Sequence, residues 1–259
     1  MQKQRIWQGL DLPKGHENDN WRYKVFALSG LKKKHLIMPI FVQEKRSSDS
    51  IVDSMPGMSL VALDRVSERV QEIVDSGISS IIVFGVPRSR DQKGSLASDK
   101  DGIVQQTVRR IKEGFGKSLQ VITDVCICQY NLSGHCGIIG NPSLRSNGHK
   151  SKRATGKEIH IDNDGTLNVL AEVASSHAEA GADMVAPSSM MDGQIQSIRK
   201  ALAACGYDGV KIMSYSSKHA SSLYSPFRSA AFFKAKKGSD PQIDKSSYQV
   251  SYANQSQAI

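Results

Sequence analysis

One lysine and three cysteines are the residues of this sequence best suited to chemistry. Lys218 lies in the run KIMSYSSKHASSLYSPFR, among apolar and hydroxyl side chains and close after a predicted buried strand. Burial disfavours a charged amine, and a neutral lysine amine can attack a ketone to form a Schiff base. We therefore predict that Lys218 is a covalent catalyst. The alternative is a lysine that extends from a strand end into water.

The three cysteines occur together in the run DVCICQYNLSGHC. If the preceding strand continues to Cys128, the alternation of side chains places Asp124, Cys126 and Cys128 on one face. Gly134 then allows the loop to fold back and bring Cys136 to the same point. Three thiolates on one tetrahedral ion leave the fourth position for water or substrate, as in a catalytic zinc site. Three unrelated buried thiols are the alternative interpretation.

Apolar runs alternate with amphipathic stretches along the chain, which is typical of parallel βα units. The predicted strands cover residues 36–42, 79–86, 119–125, 183–187 and 210–216. Four stretches between them have apolar residues at helical spacing, the last with Ile195, Ile198, Ala201 and Leu202 on one face. Asp124, Ser188 and Lys218 fall at the carboxyl ends of predicted strands. In a (β/α)₈ barrel the active site lies at those ends.

The composition fits a globular enzyme. The 259 residues are 39% apolar and 23% charged, enough for one sizeable core. No run approaches the ~18 consecutive apolar residues of a membrane span, so no membrane association is expected. Residues 1–35 lack the apolar core of a secretory signal, so we expect a reducing cytoplasm. The three clustered cysteines, with Cys205 apart, fit a metal site better than a disulfide framework.

The formal net charge of +9 is concentrated in two segments. Residues 3–34 hold eight basic and three acidic residues, and residues 145–157 hold five basic residues. Because neither segment has a helical or strand period, we predict an N-terminal arm over 1–35 and a basic surface insertion over 141–162. An extended active-site lid is the alternative for the insertion. A basic arm can bind phosphates, but its aromatic residues are sparse, and we expect no nucleic-acid partner.

Taken together, these segments resemble the porphobilinogen synthase, or 5-aminolevulinate dehydratase, family. The similarity runs from about Leu36 to the last residue, through LIMPIFV, SMPGM, IIVFGVP, DVCICQYNLSGHCG, NDGTL, GADMVAPSSMMDGQ, IMSYSSKHASSLYSPFR and SYQ. The resemblance implies a TIM (β/α)₈ barrel, an α/β fold, of which about five βα units are present in residues 36–259. It also implies a cytoplasmic homo-octamer, in which the N-terminal arm wraps on a neighbouring subunit.

The resemblance further implies a hydro-lyase of heme and tetrapyrrole biosynthesis. Such an enzyme condenses two molecules of 5-aminolevulinate, with loss of two waters, to porphobilinogen. By this similarity Lys218 forms an imine with the first substrate, while Asp124 and Ser188 orient an amine and pass protons. The implied ligands of the zinc ion are Cys126, Cys128 and Cys136. An additional activating Mg²⁺ is compatible with the resemblance.

The same resemblance implies a set of substrate-binding residues. The side chains of Tyr224 and Phe227 line the substrate pocket and keep water from the imine. Arg228 matches an arginine that binds a substrate carboxylate. Its planar guanidinium group is suited to this because it can donate two parallel hydrogen bonds to the carboxylate. Lys245 stands where the family has a second such arginine, and lysine keeps the charge but loses the bidentate geometry. Gln249, in the final SYQ block, completes the set.

One departure from the family concerns the end of the sequence. Family members continue past the SYQ block and carry a second Schiff-base lysine in a VKP motif, which has no counterpart here. We prefer the interpretation that the sequence is a fragment of a longer protein. An inactive homologue or partner subunit, and an aldolase-like barrel that uses Lys218 alone, are the alternatives. The 259 residues by themselves are expected to be inactive and to expose the edges of the first and fifth predicted strands.

Overall fold

The computed structural model describes residues 30–44, 48–140, 150–152, 158–231, 244–251 and 253. The strands are β1 (Met38–Gln43), β2 (Ser50–Ile51), β3 (Ser59–Ala62), β4 (Ser80–Val86), β5 (Gln120–Val125), β6 (Ile138–Ile139), β7 (Lys150–Lys152), β8 (Glu158–Asp162), β9 (Met184–Pro187) and β10 (Lys211–Ile212). The α-helices are α1 (Val66–Asp75), α2 (Ile103–Phe115), α3 (Asn163–Glu179), α4 (Gln194–Ala204) and α5 (Ser225–Ala231).

A largely parallel sheet is the main element of the fold. Its strand order, within the described part of the chain, is β10-β9-β5-β4-β1-β3-β2, and only β2 and β3 pair antiparallel. The five predicted strands are present as β1, β4, β5, β9 and β10. β10 is shorter than predicted, but Met213 N and Tyr215 N still donate to carbonyl groups of Val185 and Pro187. The chain therefore stays beside β9 for a few residues beyond β10.

The first predicted strand is not an edge of the sheet, and that prediction was wrong. β3 pairs with the end of β1, from Phe41 opposite Leu60 to Gln43 opposite Ala62, and β2 pairs with β3 in turn. Strands of two and four residues are too short to show a period in the sequence, so they were missed. Within the described residues the edge strands are β10 and β2.

Both faces of the sheet are buried, which explains why its strands read as continuous apolar runs. On β4, Ile81 and Val83 face the helices, whereas Ile82 and Phe84 join a second cluster on the opposite face. This second cluster consists mainly of Phe41, Leu60, Ile82, Phe84, Ile122 and Ala186. The alternation along each strand therefore fills two cores, and the second underlies the candidate site.

The helices bury one face each. In α2 the second of the four predicted apolar faces, made of Val104, Thr107, Val108 and Ile111, is buried. In α4 the prediction for Ile195 was wrong, because its side chain is 37% exposed and Gln194 takes the buried position at the start of the helix. The Gln194 amide bonds to the backbone of Pro187 and Met191, which anchors this end of the helix. None of the described helices is long and apolar enough to cross a bilayer.

The basic insertion contains regular structure that was not predicted. β8 pairs antiparallel with β6 and with β7, in a small separate sheet. The alternation in EIHID, the sequence of β8, is the strand signal that was overlooked. The rest of the insertion, at 141–149 and 153–157, and residues 1–29 of the predicted arm lie outside the described residues.

Candidate active site

The carboxyl ends of neighbouring parallel strands bring three predicted residues together. Asp124 is the penultimate residue of β5, and Ser188 directly follows β9, which pairs with β5. Lys218 lies in the segment that follows β10, on the other side of β9. Because these strands run parallel, their carboxyl ends meet at one edge of the sheet, as the sequence predicted.

Ser188 connects the other two residues directly. Its hydroxyl donates to Asp124 Oδ1 at 2.6 Å, and its carbonyl oxygen accepts from Lys218 Nζ at 2.7 Å. Burial raises the pKa of Asp124, and the Lys218 charge and the Ser188 hydroxyl offset this only in part. A carboxyl group with a raised pKa is suited to accept and donate protons.

The amine of Lys218 lies between two tyrosine rings. Its Nζ is 5.6 Å from the ring centre of Tyr215 and 5.4 Å from that of Tyr224. Burial alone lowers the pKa of Lys218, but the negative charges of the nearby thiols and Asp124 raise it, and the net pKa lies above the ordinary value. This differs from our expectation of a neutral amine, because the sequence does not show how many negative groups surround it.

Aromatic side chains form a wall next to this lysine. The ring centre of Phe227 lies 5.5 Å from that of Phe41, 5.1 Å from that of Phe84 and 6.4 Å from that of Tyr224. Arg228 follows on α5, is half-buried, and has no hydrogen bond or ion pair with another described residue. The structure thus places Tyr224 and Phe227 where they can shield the amine from water.

The three predicted cysteine ligands form one buried cluster. Their sulfur atoms all lie within 4.8 Å of one another. Thiolates on a tetrahedral zinc ion, at about 2.3 Å from the metal, are roughly 3.8 Å apart, so the cluster fits such an ion with small adjustments. Among the described residues this is the one group of three or more His, Cys, Asp or Glu side chains close enough to hold a metal.

The route by which Cys128 reaches the cluster differs from the prediction. β5 ends at Val125, so the strand does not continue to Cys128. Instead the chain turns, and the backbone N–H groups of Tyr130 and Asn131 both donate to Ile127 O, at 2.9 and 3.0 Å. The pairing of β5 with β9 ends at Val125, opposite Pro187. The turn that follows, rather than the alternation of side chains along a strand, therefore positions Cys128.

The loop between Cys128 and Cys136 folds back as predicted. Gly134 has a positive φ of 69°, which glycine adopts without strain. Asn131 fixes the loop from within, since its Oδ1 accepts from Gly134 N at 2.6 Å and its Nδ2 donates to His135 O at 2.7 Å. The loop therefore carries Cys136 to the other two cysteines in a fixed conformation.

The three thiols differ in the direction in which their pKa values are shifted. Hydrogen bonds from the thiols of Cys126 and Cys128 lower the pKa of Cys136, whereas the pKa values of Cys126 and Cys128 are raised. Lys245, which is 8% exposed, donates from Nζ to Cys136 Sγ at 3.2 Å. The structure thus places Lys245 against the sulfur cluster, a contact that the sequence did not predict. Its expected contact with a substrate carboxylate remains a prediction.

Sequence reasoning also missed Tyr248. Its hydroxyl accepts from Cys136 N at 3.2 Å and is hydrogen-bonded to His135 Nδ1 at 3.1 Å. Its neighbour Gln249, predicted to bind substrate, is 6% exposed and bonds through its backbone to Lys245 O. The SYQ block was a signal for these two residues, but it did not indicate which of them contacts the cysteine loop.

The chain is similar to known proteins over most of its length. The family model "Delta-aminolevulinic acid dehydratase" matches residues 13–259. Delta-aminolevulinic acid dehydratase of Methanothermus sociabilis is 43% identical over 230 residues, which cover 88% of this chain and 64% of that protein. The same-named protein of Archaeoglobus fulgidus is 40% identical over 242 residues, covering 93% and 67%. The chain therefore spans about two thirds of the length of these relatives.

A solved structure agrees with this match. The delta-aminolevulinic acid dehydratase (porphobilinogen synthase) of Toxoplasma gondii, in complex with the reaction product porphobilinogen, superposes with a TM-score of 0.76 at 29% identity. The match covers 95% of this chain and 66% of that one. The predicted fold class is thereby confirmed, and the seven-stranded sheet β10-β9-β5-β4-β1-β3-β2 belongs to its described part.

Proposed function

Because this chain belongs to the delta-aminolevulinic acid dehydratase family, we propose that its protein condenses two molecules of 5-aminolevulinate to porphobilinogen. The family membership predicted from the sequence motifs is confirmed by the match over residues 13–259. The substrate, the mechanism and the metal are proposals, and they rest on the residues that the site brings together. The protein is proposed to act in tetrapyrrole (heme) biosynthesis.

One observation carries the proposal, namely that Ser188 contacts both a lysine amine and a buried carboxyl group. Its carbonyl oxygen fixes Lys218 Nζ, and its hydroxyl fixes Asp124. An amine nucleophile next to a proton carrier is the arrangement that imine formation requires. A lysine held only for structural reasons has no need of a buried carboxyl partner with a raised pKa.

We propose the following step for Lys218. Its Nζ attacks the keto carbon of 5-aminolevulinate, a C–N bond forms, and the carbonyl oxygen leaves as water after two proton transfers. Asp124 lies within reach to carry those protons, and the Ser188 hydroxyl orients its carboxyl group. Lys218 must first lose its own proton, which becomes easier when the negative charge of the nearby thiolates is compensated.

The aromatic wall and Arg228 have complementary proposed roles. Tyr224 and Phe227 keep bulk water away, so that the imine is not hydrolysed before the second substrate reacts. Arg228 is half-buried and without a partner among the described residues, so its guanidinium group is available to a substrate carboxylate. Lys245 and Gln249 are proposed to bind the second substrate.

Zinc is the proposed metal. Three buried sulfur atoms within 4.8 Å suit a soft-ligand site, whereas magnesium prefers oxygen ligands. Cys126, Cys128 and Cys136 would hold the ion, which when bound supplies a Lewis acid for the second substrate. The proposals for the arm over 1–35, the barrel domain over 36–259, a homo-octamer and a cytoplasmic location rest on family membership.

Reductive trapping tests the proposal. Borohydride added to the protein with 5-aminolevulinate should attach the reduced substrate to the peptide that contains Lys218. Lys218→Arg keeps the charge but cannot form an imine, so it should abolish labelling. Lys211→Arg, at an exposed lysine on β10, should leave labelling intact. Undiminished labelling of Lys218→Arg would place the imine elsewhere, and trapping only of simple ketoses would favour the aldolase-like alternative.

A further inference from the structure

Residues 244–250 contact both parts of the candidate site. Tyr248 N and Gln249 N both donate to Lys245 O, at 3.3 and 3.0 Å, so the segment forms a tight turn. This turn directs the side chains of Lys245 and Tyr248 to the same loop, the one that ends at Cys136. A few residues therefore determine how the third thiol is held.

The Tyr248 hydroxyl holds the backbone of that loop. It accepts from Cys136 N at 3.2 Å and is hydrogen-bonded to His135 Nδ1 at 3.1 Å. Tyr248 is 4% exposed and His135 3%, so water does not compete for these hydrogen bonds. Without the hydroxyl, a buried backbone N–H would lose its partner, which favours movement of the loop.

The same segment also holds the backbone of the proposed nucleophile. Val250 N donates to Lys218 O at 2.9 Å, and His219 Nδ1 is hydrogen-bonded to Val250 O at 3.0 Å. His219 and Val250 thus form a short parallel bridge. Because Tyr248 and Val250 are only two positions apart, a displacement of one is transmitted to the other.

We infer that Tyr248 is a positioning residue, which holds Cys136 against Cys126 and Cys128 and links the thiol cluster to the Lys218 segment. The hydroxyl acts through the loop backbone and through His135. This inference rests on the proposed function, because it concerns the cysteines proposed to bind zinc. It goes beyond that proposal because Tyr248, which is not a proposed zinc ligand, is inferred to fix the position of Cys136 in the cluster.

The test compares Tyr248→Phe with the parent chain, since this change removes the hydroxyl and keeps the ring. Zn²⁺ affinity, measured by competition with a chromogenic chelator, should fall about 10- to 100-fold, as is common when a group that orients metal ligands is removed. The thiolate-to-Co²⁺ charge-transfer bands of the cobalt-loaded protein should also shift. Tyr207→Phe is the matched control, because Tyr207 packs against the core after α4, and it should preserve both readouts.

The outcomes separate the inference from the proposed function. If the parent binds Zn²⁺ tightly and Tyr248→Phe binds it equally well, the inference is overturned, even where the variant melts at a lower temperature. If the parent binds no Zn²⁺, the proposed function is overturned instead. Should Tyr248→Phe not fold, His135→Phe removes the ring nitrogen that bonds the hydroxyl, and a smaller loss of Zn²⁺ affinity is expected. An unchanged affinity in that variant counts equally against the inference.

Discussion

Buried charges are concentrated around the cysteine loop. Cys136, whose pKa is lowered by hydrogen bonds from the other two thiols, lies 3.2 Å from Lys245 Nζ, while Lys218 lies near Asp124 and the same thiols. Buried charges are tolerated only when they are paired, because water no longer stabilises them. Each of these groups therefore sets the protonation of its neighbours, and a change in one should be measurable in another.

The cysteine cluster gives the first prediction at the residue scale. Replacement of Cys126, Cys128 and Cys136 by serine should abolish zinc binding, because a neutral hydroxyl is a poor ligand for this ion. Elemental analysis of the purified protein measures the result. Cys205→Ser changes an exposed cysteine outside the cluster and should retain the zinc content of the parent. Equal zinc in the triple variant and the parent would refute the assignment.

A second prediction concerns Ser188 and the pKa of Asp124. The Ser188 hydroxyl donates to Asp124 and so stabilises the carboxylate, which lowers a pKa that burial has raised. Ser188→Ala should therefore move the Asp124 pKa further up, and the carboxylate should form only at higher pH. Infrared titration can follow the carboxyl band that is lost in Asp124→Asn.

Ser189→Ala is the control for this titration, because the Ser189 hydroxyl faces Val125 O rather than Asp124. Its carboxyl band should titrate as in the parent. A band that moves to lower pH in Ser188→Ala would contradict the hydrogen-bond argument.

At this scale the proximity of several candidate residues was predictable from the sequence, but several of their contacts were not. A lysine after a buried strand and three clustered cysteines are each compatible with only a few kinds of chemistry. Their residue types and spacing therefore indicated an imine and a metal site. The contact of Lys245 with Cys136 joins residues 109 positions apart, and no local pattern encodes it. The raised pKa of Lys218 likewise depends on groups from separate segments.

At the scale of elements, helix α3 packs on β5 through a buried histidine. His177 is 1% exposed, and its Nδ1 is hydrogen-bonded to Thr123 Oγ1 at 3.0 Å. Its Nε2 is buried and has no hydrogen-bond partner among the described residues. Burial lowers the pKa of His177 from 6.5 to about 3. The imidazole therefore stays neutral in the folded chain under conditions where an unfolded chain protonates it.

The third prediction is that His177 makes stability depend on pH. Between about pH 6.5 and 3 the unfolded chain binds a proton that the folded chain does not, so stability decreases as the pH falls. The contribution of this one group is about 1.4 kcal/mol per pH unit in that window. Urea unfolding at several pH values should show a weaker dependence in His177→Gln than in the parent.

His35→Gln, which changes an exposed histidine, is the control, and its unfolding is measured in parallel. A slope in His177→Gln that equals that of the parent would mean that His177 binds its proton equally well in the folded and the unfolded chain, which would contradict the prediction.

The elements that were predicted from the sequence are those whose apolar pattern extends over many residues. β4 and β5 are buried on both faces and α2 has a regular apolar face, so their patterns were clear. The end of β5 at Val125 was predicted, but the conditional extension of its alternation to Cys128 does not occur, because the backbone turns after Val125. β2 and β3 are held by pairing with β1 rather than by their own pattern.

At the scale of the whole molecule, the described residues form a sheet that does not close on itself. Its edge strands among the described residues are β10 and β2, with β10 only two residues long. The second cluster of apolar side chains, which includes Phe41 and Phe84, lies on the face of the sheet opposite helices α1 to α4. The reaction requires a site from which water is excluded, and an open sheet encloses it incompletely.

The fourth prediction follows from this open sheet. Residues 1–259, expressed by themselves, should not convert 5-aminolevulinate to porphobilinogen, although Lys218 can still be trapped as an imine. Pyrrole formation with zinc present can be assayed colorimetrically, with the Archaeoglobus fulgidus relative as a positive control. Turnover comparable to that of the relative would show that these residues are sufficient for the reaction.

The contact between Tyr248 and Cys136 spans 112 positions of the sequence. During synthesis the amino-terminal part of a chain folds first, and contacts between distant positions form late. Cys126 and Cys128 leave the ribosome long before the residue that holds their third partner. A thiol cluster competent for tight metal binding should thus arise only after Tyr248 has left the ribosome. Metal loading would then report that residues 244–250 have docked, and a nascent chain stalled before residue 244 should bind zinc weakly.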